Sequence, residues 1–207
     1  MLSTSLKNFK PPLRIGITGN MGSGKTLVCS VFKILGIPVF EADAAAKSLY
    51  HIDENLKKEL VRLFGKDIYT GQGEVNRVKL SEIFTNPVLL QQVNKLVHPL
   101  VHSAFNNWCM TFHNGYVLYE AAILIEGGYF HHLDAVILVT SPEELRIKRI
   151  LQRGDLDREK IIERMANQWK EEDKLKYADF IINNDETELV IPQILAIDQS
   201  IRNLVNK

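Results

Sequence analysis

Residues 19–26 constrain the fold of this chain more than any other part of the sequence. They read Gly-Asn-Met-Gly-Ser-Gly-Lys-Thr and fit the pattern G-x-x-x-x-G-K-[ST]. An apolar run, Leu13–Thr18, precedes them, and a helical pattern with one apolar face follows over 27–35. Glycines let successive backbone N–H groups turn inward towards phosphate oxygens at the start of a helix. The sequence therefore predicts a phosphate-binding loop between a buried strand and a helix.

Two side chains of this loop have a predicted role in nucleotide chemistry. Lys25 can reach the β- and γ-phosphates of a nucleoside triphosphate, and the Thr26 hydroxyl can ligate Mg²⁺. The predicted nucleotide-binding residues of this segment are Asn20, Met21, Gly22, Ser23, Gly24, Lys25, Thr26 and Leu27. The motif indicates triphosphate binding and leaves the reaction open.

Short apolar strands alternate with helical patterns along most of the chain. Further strands are predicted over 37–40, 116–119, 135–139 and 180–182, and further helices over 143–153, 158–170 and 191–205. This alternation predicts a three-layer α/β fold with a central parallel sheet. Residues 53–112 are almost continuously helix-like, and Pro99 predicts that the helical pattern is interrupted after His98.

These patterns predict how the chain is divided. We expect a lead-in over residues 1–12 and a core over 13–52 and 113–207, with a lid near 149–164. Residues 53–112 are expected to form a helical insert that binds the substrate, because ligands of such folds lie outside the carboxyl ends of the strands.

Charge and cysteine content narrow the function classes. The 25 Lys and Arg residues balance the 25 Asp and Glu residues, which argues against a nucleic-acid partner held by general phosphate neutralisation. No apolar run approaches the roughly 18 residues that span a bilayer. Cys29 and Cys109 are isolated and predicted to be buried free thiols, as in a reducing cytoplasm. We expect a cytoplasmic protein without a membrane or nucleic-acid partner, of open oligomeric state.

Four charged residues outside the loop are candidates for phosphoryl transfer. Asp43 follows the second predicted strand, where a carboxylate can accept a hydroxyl proton or cap a helix. Glu120 ends the third predicted strand and either holds Mg²⁺ through water or is a solvated strand end. Arg149 and Arg153 share a helical face and either clamp a triphosphate from a lid or form surface ion pairs.

Three classes of triphosphate-binding protein are compatible with the loop: a small-molecule kinase, a GTPase-type switch and a mechanochemical or regulatory ATPase. A guanine-reading Asn-Lys-x-Asp tetrad is not matched, since residues 94–97 read Asn-Lys-Leu-Val. A translocating ATPase would need a surface favourable to nucleic acid, which zero net charge does not support. The helical insert and the arginines favour a phosphoryl-transfer enzyme.

Taken in order, the motifs resemble the dephospho-CoA kinase family from residue 13 to about 184. The resemblance is carried by the phosphate-binding loop, by Glu-Ala-Asp at 41–43, by His-Pro at 98–99, and by segments 120–126, 148–153, 164–168 and 178–184. The resemblance implies a P-loop kinase fold that binds ATP and Mg²⁺. It also implies an enzyme that phosphorylates the ribose 3′-hydroxyl of dephospho-CoA, in the last step of coenzyme A synthesis.

The resemblance also implies individual roles. Asp43 matches the family's catalytic base and acts with Lys25 and Arg149. The acceptor-site positions are Asp43, Lys47, Arg77, His98 and Leu124, and the further ATP-site positions are Arg149, Arg153 and Asn184. The chain departs from the family pattern at Glu41, at Lys47 and at Leu27. Two alternatives stay open: a nucleoside or nucleoside monophosphate kinase, and a non-catalytic ATP-binding sensor.

Overall fold

The computed structural model describes residues 10–154 and 156–205, without the side chain of Phe84. The chain forms two compact units. The first comprises the described residues up to Glu41 and from Cys109 onwards, and the second is Ala42–Trp108. The predicted insert had the boundaries 53 and 112, and its binding of a substrate stays a prediction. Most of the predicted lead-in, residues 1–9, lies outside the described residues.

The first unit is built on a five-stranded sheet. Its strands are β1 (Leu13–Thr18), β2 (Val39–Glu41), β3 (Tyr116–Glu120), β4 (Ala135–Thr140) and β5 (Phe180–Asn183). They lie in the order β2-β3-β1-β4-β5, and all neighbouring pairs are parallel. Every residue of β3 and β4 is buried, as expected for the inner strands of a covered parallel sheet. The predicted α/β fold is therefore confirmed.

The helices follow the strands along the chain. Those of the first unit are α1 (Lys25–Ile34), α6 (Glu143–Arg153), α7 (Arg158–Ala166), α8 (Glu171–Leu175) and α9 (Val190–Val205). The second unit contains α2 (Ala42–Ile52), α3 (Glu54–Phe64) and α4 (Arg77–Thr85), and it also holds most of α5 (Pro87–Cys109). No helix among the described residues has the length and apolar character needed to cross a bilayer.

Helices α1 and α9 contribute to the main core of the first unit. Buried side chains of these helices pack with buried side chains of the sheet. The helices contribute Val28, Cys29, Phe32, Ile194, Ile197 and Ile201, and the sheet contributes Ile15, Ile17 and Ile137. Full burial of an aliphatic or aromatic side chain contributes roughly 1.5–3 kcal/mol. Both cysteines are free and buried, as predicted, and burial raises the pKa of the Cys29 thiol to about 11.

The second unit is mainly helical, and two of its helices begin at side-chain caps. Asp53 accepts a hydrogen bond from the Leu56 N–H at the start of α3, and Asn76 accepts one from Lys79 at the start of α4. Such caps satisfy backbone donors that the first turn leaves unpaired. A short 3₁₀ helix, Lys66–Ile68, precedes α4.

The predicted interruption at Pro99 is wrong. Helix α5 runs for 23 residues and includes Pro99 in its interior. A proline there removes one backbone hydrogen bond and costs about 3 kcal/mol. Buried apolar residues nevertheless continue at a spacing of four on both sides of it: Val93, Val97, Val101 and Phe105. Because this single buried face extends past the proline, its burial offsets the local cost and the helix continues.

Two further predicted boundaries differ from the structure. The helix predicted over 158–170 ends at Ala166, and α8 begins separately at Glu171. Residues 168 and 169 leave the helical path because they make hydrogen bonds to a distant loop. The second strand begins at Val39 rather than 37, since the Ile37 N–H donates to the Phe32 carbonyl and closes the turn after α1.

Candidate active site

The loop between β1 and α1 has a backbone that requires glycine at two positions. Gly22 has a φ of +83° and Gly24 a φ of +94°. A Cβ atom on Gly22 would lie 2.7 Å from the Arg146 carbonyl oxygen, and one on Gly24 would overlap the Asn184 amide nitrogen. The Ser23 N–H donates to the Asn20 carbonyl at 3.0 Å, which closes the turn. The loop therefore reaches the N-terminus of α1, where backbone N–H groups favour an anion.

The loop lysine is paired with the carboxylate at the end of β3. Lys25 Nζ forms an ion pair with Glu120 Oε1, and both side chains are mostly buried. In the sheet, Glu120 lies opposite Ile17 of β1, immediately before the loop. Because Glu120 is only 9% exposed, its alternative interpretation as a solvated strand end is wrong. The carboxylate holds the ammonium group beside the loop.

Asn184 lies against the same loop, and Arg149 is hydrogen-bonded to Asn184. Asn184 Nδ2 donates to the Ser23 carbonyl at 2.7 Å. Arg149 Nη2 donates to the Asn184 carbonyl at 3.1 Å, and its Nη1 donates to Ser141 Oγ at 3.1 Å. Arg149 also forms a 3.3 Å ion pair with Glu186. The structure thus brings the predicted ATP-site residue Asn184 to the loop and connects Arg149 to the loop through it.

Three other predicted residues of this unit have contrasting environments. Arg153 lies one turn beyond Arg149 on α6 and is exposed. Thr26 is exposed in the first turn of α1, as a ligand-binding hydroxyl must be. Leu124 is 1% exposed and faces the backbone of Gly16, so its side chain belongs to the core and is not open to a substrate.

Four predicted acceptor-site residues lie in the second unit. Asp43 is exposed in the first turn of α2, whose first residue is Ala42, so the alternative that it caps this helix is wrong. Lys47 follows one turn later on the same face and is exposed. Arg77 is the exposed first residue of α4. His98 is half-buried in α5, and burial lowers its pKa, which keeps the ring neutral near pH 7.

Residues 168 and 169 contact the loop in a way that the sequence patterns do not predict. Gln168 Oε1 accepts a hydrogen bond from the Met21 N–H at 2.8 Å, and the Trp169 carbonyl accepts one from Asn20 Nδ2 at 3.3 Å. Gln168 lies in a segment that carries the family resemblance, which was the available signal. Its partner is 147 residues away in the chain, a separation that local patterns do not reveal.

In the described part of the chain, two polar side chains of the loop have an atom without a hydrogen-bond partner, and only one of these atoms can donate to phosphate. Two buried side-chain oxygens, Asn20 Oδ1 and Ser23 Oγ, have no hydrogen-bond partner among the described residues. Unsatisfied buried polar atoms are costly. The Ser23 hydroxyl can donate to a phosphate oxygen, whereas Asn20 Oδ1 can only accept and needs a donor other than phosphate. Within the described ranges, no group of three or more His, Cys, Asp or Glu side chains could hold a metal by itself.

Comparison with known sequences points to one family. The model of a family described as dephospho-CoA kinase matches residues 13–189. A dephospho-CoA kinase from Bacteroides fragilis is 35% identical over 191 residues, covering 89% of this chain and 91% of that protein. One from Chlorobium chlorochromatii is 38% identical over 186 residues, covering 86% of this chain and 88% of that protein.

Solved structures agree in fold. A crystal structure of a protein from Thermus thermophilus has a TM-score of 0.80 and 32% identity, covering 94% of this chain and 99% of its own. A dephospho-CoA kinase from Campylobacter jejuni has a TM-score of 0.64 and 23% identity, covering 93% and 97% of the two chains. Because the identity to the Campylobacter jejuni protein is only 23%, this similarity concerns the fold alone.

The substitution Gly24→Ala tests whether the loop conformation is required for nucleotide binding. We expect ATP affinity, measured by calorimetry, to fall by more than about tenfold, since the new Cβ overlaps Asn184 and the φ is positive. Gly36→Ala is the matched control: its φ is +80°, but nothing lies within 4 Å of the added Cβ. Both carry a left-handed backbone cost of about 1–2 kcal/mol. Equal ATP affinity in the two variants would contradict this account of the loop.

Proposed function

This chain belongs to the dephospho-CoA kinase family, and we propose that it transfers the γ-phosphate of ATP to the ribose 3′-hydroxyl of dephospho-CoA. The products would be coenzyme A and ADP. The observation that carries the proposal is the arrangement around the loop. Lys25 is held by Glu120 at the start of α1. Asn184 is hydrogen-bonded to the loop, and Arg149 is hydrogen-bonded to Asn184.

The loop would bind the triphosphate of ATP. Backbone N–H groups at the start of α1 would donate to phosphate oxygens, and Lys25 would leave its ion pair with Glu120 to contact the transferred phosphoryl group. Catalysis of phosphoryl transfer rests mainly on positioning and on stabilising developing negative charge. The side chain that supplies this positive charge already lies beside the loop.

Arg149 would supply a second positive charge to the triphosphate. Its guanidinium group lies against Asn184, which donates to the loop residue Ser23, so it is within the loop's immediate surroundings. Arg153, exposed one turn further on, would join it when phosphate is bound. Planar guanidinium groups bind phosphate oxygens in a bidentate manner, which orients as well as neutralises them.

The acceptor site would be formed by residues of the second unit. We assign Asp43 as the base that accepts the proton of the attacking hydroxyl, because it is an exposed carboxylate two residues after β2. Lys47 and Arg77 are exposed cations that suit the phosphates of dephospho-CoA. His98 is neutral near pH 7 and would contribute as a hydrogen-bonding group.

Magnesium would be held by Thr26 and, through water, by Glu120. Thr26 presents an exposed hydroxyl in the first turn of α1, and Glu120 contributes a carboxylate beside Lys25. When bound with ATP, the ion neutralises charge on the β- and γ-phosphate oxygens. In such sites the phosphates and water supply most ligands, so a cluster of protein ligands is not needed.

The reducing cytoplasm is the compartment we propose for the reaction. The two cysteines are free and buried, and unpaired thiols are typical of cytosolic proteins. The zero net charge supports small molecules, ATP and dephospho-CoA, as the partners in place of nucleic acid.

A comparison of acceptors tests the proposed reaction. Dephospho-CoA, adenosine, AMP and pantetheine are offered separately with ATP, and ADP release and the mass of each acceptor are measured. We expect ADP and a phosphorylated product with dephospho-CoA alone. Phosphorylation of AMP without that of dephospho-CoA would indicate a nucleoside monophosphate kinase. ATP binding without turnover of any acceptor would indicate a sensor.

The substitution Asp43→Ala tests the assigned base. We expect kcat to fall by roughly 10²–10⁴-fold, the usual effect of removing a general base, while ATP affinity stays near that of the wild type. Glu54→Ala is the matched control, because Glu54 is also an acid in the first turn of a helix of the same unit. An Asp43→Ala enzyme with wild-type kcat would refute the assignment.

A further inference from the structure

The third residue of the phosphate-binding loop is held by a side chain from the far end of the sequence. The Met21 N–H donates to Gln168 Oε1 at 2.8 Å. A backbone N–H can only donate, so the oxygen of the Gln168 amide must face the loop. This contact fixes the plane of the peptide before Met21, from which the chain turns into the positive-φ conformation of Gly22.

Gln168 is itself held in place by its own segment. It follows the last turn of α7, where its N–H donates to the Met165 carbonyl at 3.0 Å. The next residue, Trp169, accepts a hydrogen bond from Asn20 Nδ2 through its carbonyl and donates from its N–H to Glu126 Oε1, each at 3.3 Å. Residues 168 and 169 thus contact two successive residues of the loop.

A buried ion pair anchors this segment on its other side. Lys174 of α8 is fully buried, and its Nζ lies 2.6 Å from Glu126 Oε1, the oxygen that accepts from Trp169. Removing one partner of a buried ion pair is strongly destabilising, so Lys174 and Glu126 need each other as partners. The segment that carries Gln168 is therefore fixed between α7 and this pair.

Apolar packing connects the same elements. Met21 packs against the cluster formed by Ile147 and Ile150 of α6 and Ile161 of α7. The side chain of Met21 contacts the two helices while its N–H bonds to Gln168. The loop residue is thus held by both apolar and polar contacts from the α6–α7 region, which also carries Arg149 and Arg153.

We propose that Gln168 is a positioning residue of the kinase reaction, which acts on ATP through the backbone of the phosphate-binding loop. By accepting the Met21 N–H it holds the loop in the conformation that presents the following N–H groups to phosphate. The inference rests on the proposed function for the identity of the reaction. The test of this inference measures ATP binding, which needs no acceptor. A failure of the inference can therefore be distinguished from a failure of the proposed function.

The substitution Gln168→Met removes the accepting oxygen and keeps the length of the side chain. We expect the dissociation constant of a non-hydrolysable ATP analogue to rise about 3–10-fold, the effect of losing one hydrogen bond. In turnover, KM for ATP should rise while KM for dephospho-CoA stays unchanged. Hydrogen exchange at the Met21 amide should accelerate by a similar factor, because the variant lacks its acceptor.

Gln199→Met is the matched control. Gln199 is an exposed glutamine of α9 that bonds to Asn203 on the same helix. The Gln199→Met variant should keep the affinity for the ATP analogue, both KM values and the hydrogen exchange of the Met21 amide at their wild-type levels. Wild-type analogue affinity in Gln168→Met would overturn the proposal. Two other outcomes would also overturn the proposal, because each would assign the effect to another contact. One is weakened analogue affinity with unchanged hydrogen exchange at Met21, and the other is an equal rise in both KM values.

Discussion

The conformation of one loop is the constraint on which the rest of the site depends. A phosphate can be bound at the start of α1 only if the backbone between β1 and α1 turns its N–H groups towards it. Gly22 and Gly24 permit that turn, and the carboxamide of Asn184 fills the space that a larger residue at 24 would need. The ion pair of Lys25 with Glu120 places a cation beside the loop.

Features set by local pattern were predicted well from the sequence. The strand Leu13–Thr18 and the helix Glu143–Arg153 are found within the predicted bounds, because an apolar run ending at glycine and a clear helical face are local signals. The sequence also placed Glu120 correctly at the carboxyl end of the third predicted strand. The sequence motif was sufficient to locate the loop, since its glycines reflect a backbone geometry that few other residues can adopt.

Features that depend on distant contacts were not predictable in the same way. A proline is a local signal for a helix end, yet α5 continues through Pro99 because buried residues on both sides share one face. The helical pattern over 158–170 is likewise overridden where Gln168 and Trp169 bond to the loop. Leu124 belonged to a motif that implied substrate contact, and only the packing against Gly16 reveals a core residue. In each case tertiary contacts outweigh local preference.

The central claim is that residues 19–26 bind the triphosphate of ATP. A titration of the ¹⁵N-labelled protein with a non-hydrolysable ATP analogue in the presence of Mg²⁺ tests it most directly, because each backbone amide reports its own environment. The account predicts that the largest shift changes fall on the amides of Gly22, Ser23, Gly24, Lys25 and Thr26, with smaller changes at Asn184. Saturable binding that leaves these loop amides unshifted would contradict it.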